Sequence, residues 1–347
     1  MRVIDLKLQN FRNHKKCSFN FLDTTIIVGE NTTGKTSILE ALYMLSHGKS
    51  FKAEKDTDTI NDNTDFSKAE GLIDEEDGET RLSIIIAIRN NRPVKKYMVN
   101  NVGRYQTEFI SHFLTVLFTP EDLEIITDSP SLRREYINSV LIQADKHYRI
   151  ALSLYEKALK SRNRMLYLTR EGKKRFGADE FEYWDNLLIG NGQLITKYRR
   201  EFVEFVNNAE KAIFKFELNY DKSIVSKERL DKYKNEELAA AKTLVGPQRD
   251  DFIFKFEKGK SIKEFGSRGE QRLTILQIKL IEALFLIEKT GKTPVILLDD
   301  IFSELDEHNI HKVLDLLPHH QVIITTTHEE FIPKKIMEKE EVEIIEL

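Results

Sequence analysis

The chain has 347 residues, 40% hydrophobic and 10% aromatic, which is enough apolar material for a sizeable core and excludes a disordered polymer. Fifty-three Lys and Arg against 57 Asp and Glu leave a net charge of −4, so whole-chain charge calls for neither nucleic acid nor a membrane surface, and any basic site must be local. The single cysteine, Cys17, excludes an intrachain disulfide framework and a cysteine zinc site; with no signal-peptide pattern at Met1–Asp5 and no long apolar run, a cytoplasmic protein without a membrane partner is expected.

In chain order, Ile4, Leu6 and Leu8 alternate with Asp5, Lys7 and Gln9, the period of a half-buried strand. Thr25-Ile26-Ile27-Val28 is a short apolar run that stops at Gly29, as a buried strand entering a loop would. Ser37 to Ser46 reads as a helix, with Ile38, Leu39, Leu42 and Leu45 on one side. Residues 54–80 are polar and acidic, and Asp74-Glu75-Glu76-Asp77-Gly78 within them reads as a solvated loop. Arg81 to Asn90 and Lys95 to Asn100 read as strands joined by a turn, and Val116-Leu117-Phe118 as another buried run ended by Pro120.

The character then changes. Ser131 to Phe216 contains no proline, and Leu152, Leu154, Tyr155, Leu159, Met165 and Leu166 form an apolar stripe among Lys and Arg. Gly172 to Gly177 reads as a turn and Phe181 to Phe216 as a returning helix or pair of helices, together an arm. Strand signals return at Phe252, Phe254 and Phe256. Gly269 to Thr290 is a helix apolar on most sides, and Val295–Leu298 and Val322–Ile324 are buried-strand candidates. The order predicts a split α/β head, residues 1–120 and 241–347, interrupted by a helical insertion at 121–240.

Gly29-Glu30-Asn31-Thr32-Thr33-Gly34-Lys35-Thr36 fits the phosphate-loop pattern GxxxxGK[ST]. Glycines let the backbone wrap a phosphate closely with N–H groups pointing inward. Lys35 would reach the β- and γ-phosphates, Thr36 would hold Mg²⁺, and the following helix adds its positive end. Leu297-Leu298-Asp299-Asp300 ends a buried strand in two carboxylates. Asp299 suits the Mg²⁺ ligand of a phosphoryl-transfer site, and Asp300 is placed to polarise the attacking water. A double Asp after a strand is by itself more often a cap or turn; the phosphate loop reverses that reading. Gly266 to Gln271, opening the long apolar helix, offers a second anion-binding end. Ser303-Glu304-Leu305-Asp306 follows the double Asp, and Thr325-Thr326-Thr327-His328 follows the next strand. His319-His320 has no metal-ligand partner at helical spacing, Asp250-Asp251 reads as a loop before a strand rather than a nuclease metal site, and Trp184 reads as helix packing.

With Asn10-Phe11-Arg12-Asn13, Phe118–Leu123, Gly246–Asp251, Gly266–Arg272 and Leu297–Asp306 added, the sequence resembles, over essentially its whole length, the RecF family of bacterial recombination-repair ATPases, within the ABC-type class that includes the SMC chromosome proteins. The resemblance implies an ABC-type P-loop ATPase head, ATP and Mg²⁺ as cofactors, and slow, DNA-stimulated hydrolysis. It also implies an ATP-dependent homodimer in which Ser267, Gly269 and Glu270 of one copy complete the ATP site built on Lys35 of the other. Asp306 belongs at the same interface, His328 matches a switch histidine by position, and Arg12 and Asn13 flank the nucleotide. The family's partners are RecR, RecO and gapped or single-strand/double-strand junction DNA, bound without sequence preference.

Arg162, Arg164, Arg170, Lys173, Lys174, Arg175, Lys197, Arg199 and Arg200 are the candidates to face DNA phosphates. Three positions depart from the family pattern. Thr32 stands where a glycine is expected, Asp300 where most ABC ATPases carry Glu, and the usual glutamine near Pro120 is replaced by Glu121 or Asp122. A transporter ATPase subunit and an SMC-like structural protein are the alternative readings. The insertion is long for the first and lacks the many heptads of the second.

Overall fold

Alternation of apolar and polar residues builds the first sheet. In the computed structural model, which describes residues 1–75, 78–90, 92–301, 319–327, 332 and 342–347, β1 (Arg2–Phe11) turns Val3, Leu6 and Leu8 inward and leaves Lys7 and Gln9 exposed. With β2 (His14–Asn20) it enters an antiparallel sheet; β3 (Thr24–Val28) leaves for a second sheet, and β4 (Phe66–Glu75), β5 (Gly78–Arg89), β6 (Arg92–Val99) and β7 (Val102–Arg104) complete the first. The strand order is β2-β1-β4-β5-β6-β7. Leu8 faces Cys17 on one side and Ala69 on the other.

Asp74, Glu75 and Gly78, expected in a solvated loop, are strand instead: the first two end β4 and the last opens β5. The inward residues of β4 are Ser67, Ala69, Gly71 and Ile73, three of them small, so the period-2 signal is muted. The size is dictated by helix α1 (Lys35–His47) beneath: a Cβ on Gly71 would lie 2.8 Å from Leu45 Cδ1.

The second sheet adds β8 (Thr115–Phe118), then, beyond β9 (Glu217–Asp221) and β10 (Asp251–Lys255), the strands β11 (Val295–Asp299), β12 (Val322–Thr326) and β13 (Val342–Glu346). Its order is β13-β3-β12-β11-β8, and every pairing is parallel. Strands β8, β11 and β12 are buried at every residue, as the near-continuous apolar runs of a two-sided parallel sheet require. Their C-terminal ends lie on one edge, where ligands bind in open α/β sheets.

The chain divides into two units, Met1–Leu123 with Ile275–Leu347, and Glu124–Thr274. The return to the head, expected at residue 241, therefore comes at 275. The reason lies inside the second unit, which holds α2 (Pro130–Ala144), α3 (Lys146–Arg170), α4 (Ala178–Asn208) and the first turns of α5 (Arg268–Thr290). There β10 pairs antiparallel with β9, and Asp250, just before β10, is the hub of a buried cluster. Its Oδ2 accepts from Arg199 at 2.6 Å and from Tyr220 Oη at 2.5 Å, and its Oδ1 from the Ser223 N–H at 2.7 Å. The next carboxylate, Asp251, takes Arg133 Nε at 2.7 Å.

Two cations read as facing DNA are thereby corrected. Arg199 is buried on Asp250, and Arg162 is buried between Asp185 (2.5 Å) and Glu237 (2.7 Å). A guanidinium can enter a helix–helix seam when carboxylates meet it there, whereas charge alone reads as surface in a sequence. Arg164, Arg170, Lys173, Lys174, Arg175, Lys197 and Arg200 are exposed. Trp184 is half-buried and meets Tyr183 edge to face. Among the described residues no helix is long and apolar enough to cross a membrane.

Asp250→Ala strands Arg199 without its counter-charge. We expect a loss of about 3–5 kcal/mol in urea unfolding; a loss below about 1 kcal/mol would remove Asp250 as the hub of the second unit.

Candidate functional site

The phosphate loop leaves β3 and enters α1 through two left-handed residues, Thr32 (φ 76°) and Gly34 (φ 106°). A Cβ on Gly34 would lie 2.5 Å from His14 Nε2 and 2.6 Å from Asn13 Oδ1, so any other residue there would also displace those two side chains. Asn13 braces the loop from that side, its Nδ2 donating to the carbonyls of Thr32 (3.2 Å) and Thr33 (2.9 Å). Thr32 accounts for the expected glycine, since a β-branched residue pays a steric penalty at positive φ that glycine does not.

Lys35 folds back over the loop. Its Nζ donates to the carbonyls of Gly29 (2.5 Å) and Glu30 (2.8 Å). Burial pushes the ammonium below its ordinary range, and the nearby Asp300 and Asp299 carboxylates oppose that shift. A phosphate oxygen is a better partner for this ammonium than either carbonyl.

Asp299 closes the opposite wall. Its Oδ1 accepts from Thr36 Oγ1 at 3.1 Å and from Thr325 Oγ1 at 2.6 Å, joining the start of α1 to the ends of β11 and β12. Burial pushes this carboxyl up, with the two hydroxyls pulling it down. Asp300 follows at φ 46°, held by backbone bonds from its N–H to Thr325 O (3.2 Å) and Oγ1 (3.1 Å). Among the described residues no group of three His, Cys, Asp or Glu could hold a metal. Mg²⁺ in a nucleotide site needs none, because it binds through one or two protein oxygens plus phosphates and water. The Thr36 hydroxyl and the desolvated Asp299 carboxylate supply that set, and a cation between them would relieve the burial of the carboxylate.

These groups line one end of a cavity of about 710 Å³. Part of the lining was missed by sequence reasoning: Lys52, Asp58, Ile60, Asn61 and Asp62 also line the cavity. Lone Ile60 in a polar run was the one available signal. The segment is sewn to the end of β1 by Arg12 N–H to Thr59 O at 2.9 Å and Asn61 N–H to Asn10 O at 2.8 Å. Arg12 lines the cavity, but its guanidinium is engaged, donating to buried Glu40 at 2.8 and 2.6 Å and to Asp58 O at 2.7 Å. The Glu40 hydrogen bond is the main cause of a guanidinium held even more firmly charged than usual.

Ser267, Gly269 and Glu270 lie in the second unit, at the N-terminus of α5. Ser267 N–H and Oγ both donate to Glu270 Oε2 at 2.8 Å, and Glu270 N–H returns to Ser267 Oγ at 3.3 Å, a capping box. Those bonds hold the Glu270 carboxyl below its usual range and give Glu270 a helix-capping job. Ser267 and Gly269 are exposed, with open space where a Gly269 Cβ would project. Of the two residues near Pro120, Asp122 is tied by the Thr119 N–H (2.7 Å) and by Lys279 (3.1 Å), while Glu121 is exposed. Asp306 and His328 lie outside the described residues.

Known proteins share this sequence pattern and this fold. The RecF/RecN/SMC N terminal domain family matches residues 2–344. The chain is 35% identical to the DNA replication and repair protein RecF of Agathobacter rectalis, over 94% of this chain and 92% of that protein. It is 31% identical to the protein of the same name from Geobacillus kaustophilus, over 94% and 93%. Among solved structures, the recombination mediator protein RecF with ATP, from the RecFOR pathway, superposes with a TM-score of 0.87 at 32% identity, covering 95% of this chain and 93% of that one. An SMC head bound to the winged-helix domain of ScpA shares the fold, with a TM-score of 0.51 at 18% identity over 95% and 90%.

Thr32→Gly removes the left-handed strain from the loop. We expect thermal unfolding of the variant to show stability unchanged or raised by up to about 1 kcal/mol; a loss of that size would show that Thr32 is not strained.

Proposed function

The chain belongs to the RecF family, within the RecF/RecN/SMC N terminal domain group, and from that premise we propose that it is a recombination-mediator ATPase of DNA replication and repair. In this reading ATP drives two copies together on gapped or junction DNA, and the dimer acts with RecR and RecO to help load a recombinase in the cytoplasm. The observation that carries the reading is the convergence of Lys35, Thr36 and Asp299 on one cavity.

On ATP binding, Lys35 exchanges the Gly29 and Glu30 carbonyls for β- and γ-phosphate oxygens. Thr36 and Asp299 would hold Mg²⁺. Mg²⁺ held there would supply charge neutralisation to the phosphates. Asp300, at the end of β11, orients the attacking water and takes up its proton. An Asp side chain is one methylene shorter than Glu, and slow turnover follows from that shorter reach. Arg12 and Asn13 act through position, Asn13 by bracing the loop carbonyls. Lys52 and the segment around Ile60 are the groups available to the nucleoside end.

In this reading the exposed Ser267 and Gly269 meet the γ-phosphate held by Lys35 of a second copy. Two such heads, related by a two-fold axis, form two equivalent ATP sites. Asp306 and His328 join that interface in the same proposal. DNA is held by backbone charge alone, through exposed cations of the arm such as Arg164, Lys197 and Arg200, without base readout.

Lys35→Ala is expected to lose nearly all ATP binding, and Ser267→Arg to bind ATP as a monomer yet neither dimerise nor hydrolyse it. Mixing the two variants gives heterodimers with one intact site, and the ATPase rate should then rise above the sum of the separate rates. Heterodimers that sediment together but show no such rise would refute the shared site.

A further inference from the structure

Glu40 sits on α1 one turn after Thr36 and is fully buried. The phosphate chemistry described above does not use it. A buried carboxylate is costly unless donors reach it, and here two side chains do. Arg12 reaches Oε2 through Nε at 2.8 Å and Oε1 through Nη2 at 2.6 Å, the two-pronged fork that fits a carboxylate. The Ser50 hydroxyl also donates to Oε1.

Each of these donors holds one leg of the segment 50–62, which brings Lys52, Asp58, Ile60, Asn61 and Asp62 to the cavity lining. On the first leg, Ser50 Oγ accepts the N–H groups of Lys52 and Ala53 at 2.8 and 2.7 Å. On the second, Arg12 Nη1 donates to Asp58 O at 2.7 Å, and the Arg12 carbonyl accepts from Asn61 Nδ2. Asn10 and Arg12 are both left-handed, at φ 50° and 52°. Strain of that kind persists where surrounding bonds over-determine the backbone, and here those bonds run to Thr59 and Asn61. The middle of the segment is pinned separately, by Lys95 on Asp56 at 2.5 Å. One carboxylate on α1 therefore gathers both legs.

Lys52 apart, the lining this segment supplies suits an uncharged nucleoside better than phosphate. Asp58 and Asp62 are exposed carboxylates, which repel a polyanion but accept from ribose hydroxyls and base N–H groups. Half-buried Ile60 offers apolar surface to a ring. We propose that Glu40 is a positioning residue for ATP: through Arg12 and Ser50 it fixes the segment 50–62 at the spacing from the phosphate loop that a nucleoside joined to the bound phosphates needs. Because α1 opens at the phosphate loop and also carries Glu40, one rigid element sets both. This role rests on the ATP-binding reading above and adds to it the group that orients the nucleoside.

The test is calorimetry on the full chain in Mg²⁺, comparing ATP with inorganic tripolyphosphate, which carries the phosphates and no nucleoside. Wild type should bind ATP more tightly than tripolyphosphate. Glu40→Gln keeps the side-chain shape but turns one acceptor into a donor. It should lose about tenfold or more in affinity for ATP and bind tripolyphosphate like wild type. Ser50→Ala releases one leg only and should show the same selective loss, smaller in size. Unchanged tripolyphosphate binding also shows that the phosphate loop is folded in each variant. Either variant binding ATP like wild type, or losing both ligands in equal measure, would overturn the positioning role. A wild type that binds both ligands equally well overturns this role alone; one that binds neither overturns the ATP-binding reading as well.

Discussion

A carboxylate buried at the end of a parallel strand is costly unless hydrogen bonds reach it, and the site is organised around one. Asp299 ends β11, and its Oδ1 takes the hydroxyls of Thr36 and Thr325. Those three residues come from three places in the chain: the start of α1, the end of β11 and the end of β12. Because the sheet is all parallel, the three ends reach the same edge, and the phosphate loop is set facing the carboxylate. The pull of burial on Asp299 and on Lys35 has opposite sign for charge but one cause, a site drier than the surface. Both groups gain by meeting a polyanion with its cation.

The second unit solves a different problem with related means. Long helices rich in Lys and Arg pack a seam that includes buried Arg162 and Arg199, each met by carboxylates. The Gly246–Asp251 segment supplies Asp250 to that seam and Asp251 to Arg133, so it locks the arm unit internally. What remains on the surface is a smaller set of cations than the sequence suggests: Arg164, Arg170, Lys173, Lys174, Arg175, Lys197 and Arg200.

The readable parts of the sequence were those where one pattern has one physical meaning. The run Thr25–Val28, the loop to Thr36 and the helix after it read directly as β3, phosphate loop and α1, because strand, glycine turn and helix follow each other without interruption. Leu297–Asp300 read as the end of β11 for the same reason. The hidden parts were those decided by a distant partner. Small residues in β4 are set by Leu45 beneath Gly71, the side chain of Arg12 is set by Glu40, and the Lys52–Asp62 wall is placed by backbone bonds to β1. Residue 241 looked like the return to the head because Phe252, Phe254 and Phe256 alternate, yet their strand pairs with β9 inside the arm unit.

The central claim is that Asp299, with Thr36, is the cation-holding end of a nucleotide site. The most direct measurement is the calorimetric affinity for ATP with and without Mg²⁺, for wild type and for Asp299→Asn. The account predicts that Mg²⁺ strengthens ATP binding in wild type, and that the variant binds ATP with an affinity that Mg²⁺ no longer improves. A variant whose affinity rises with Mg²⁺ as much as that of wild type would contradict it.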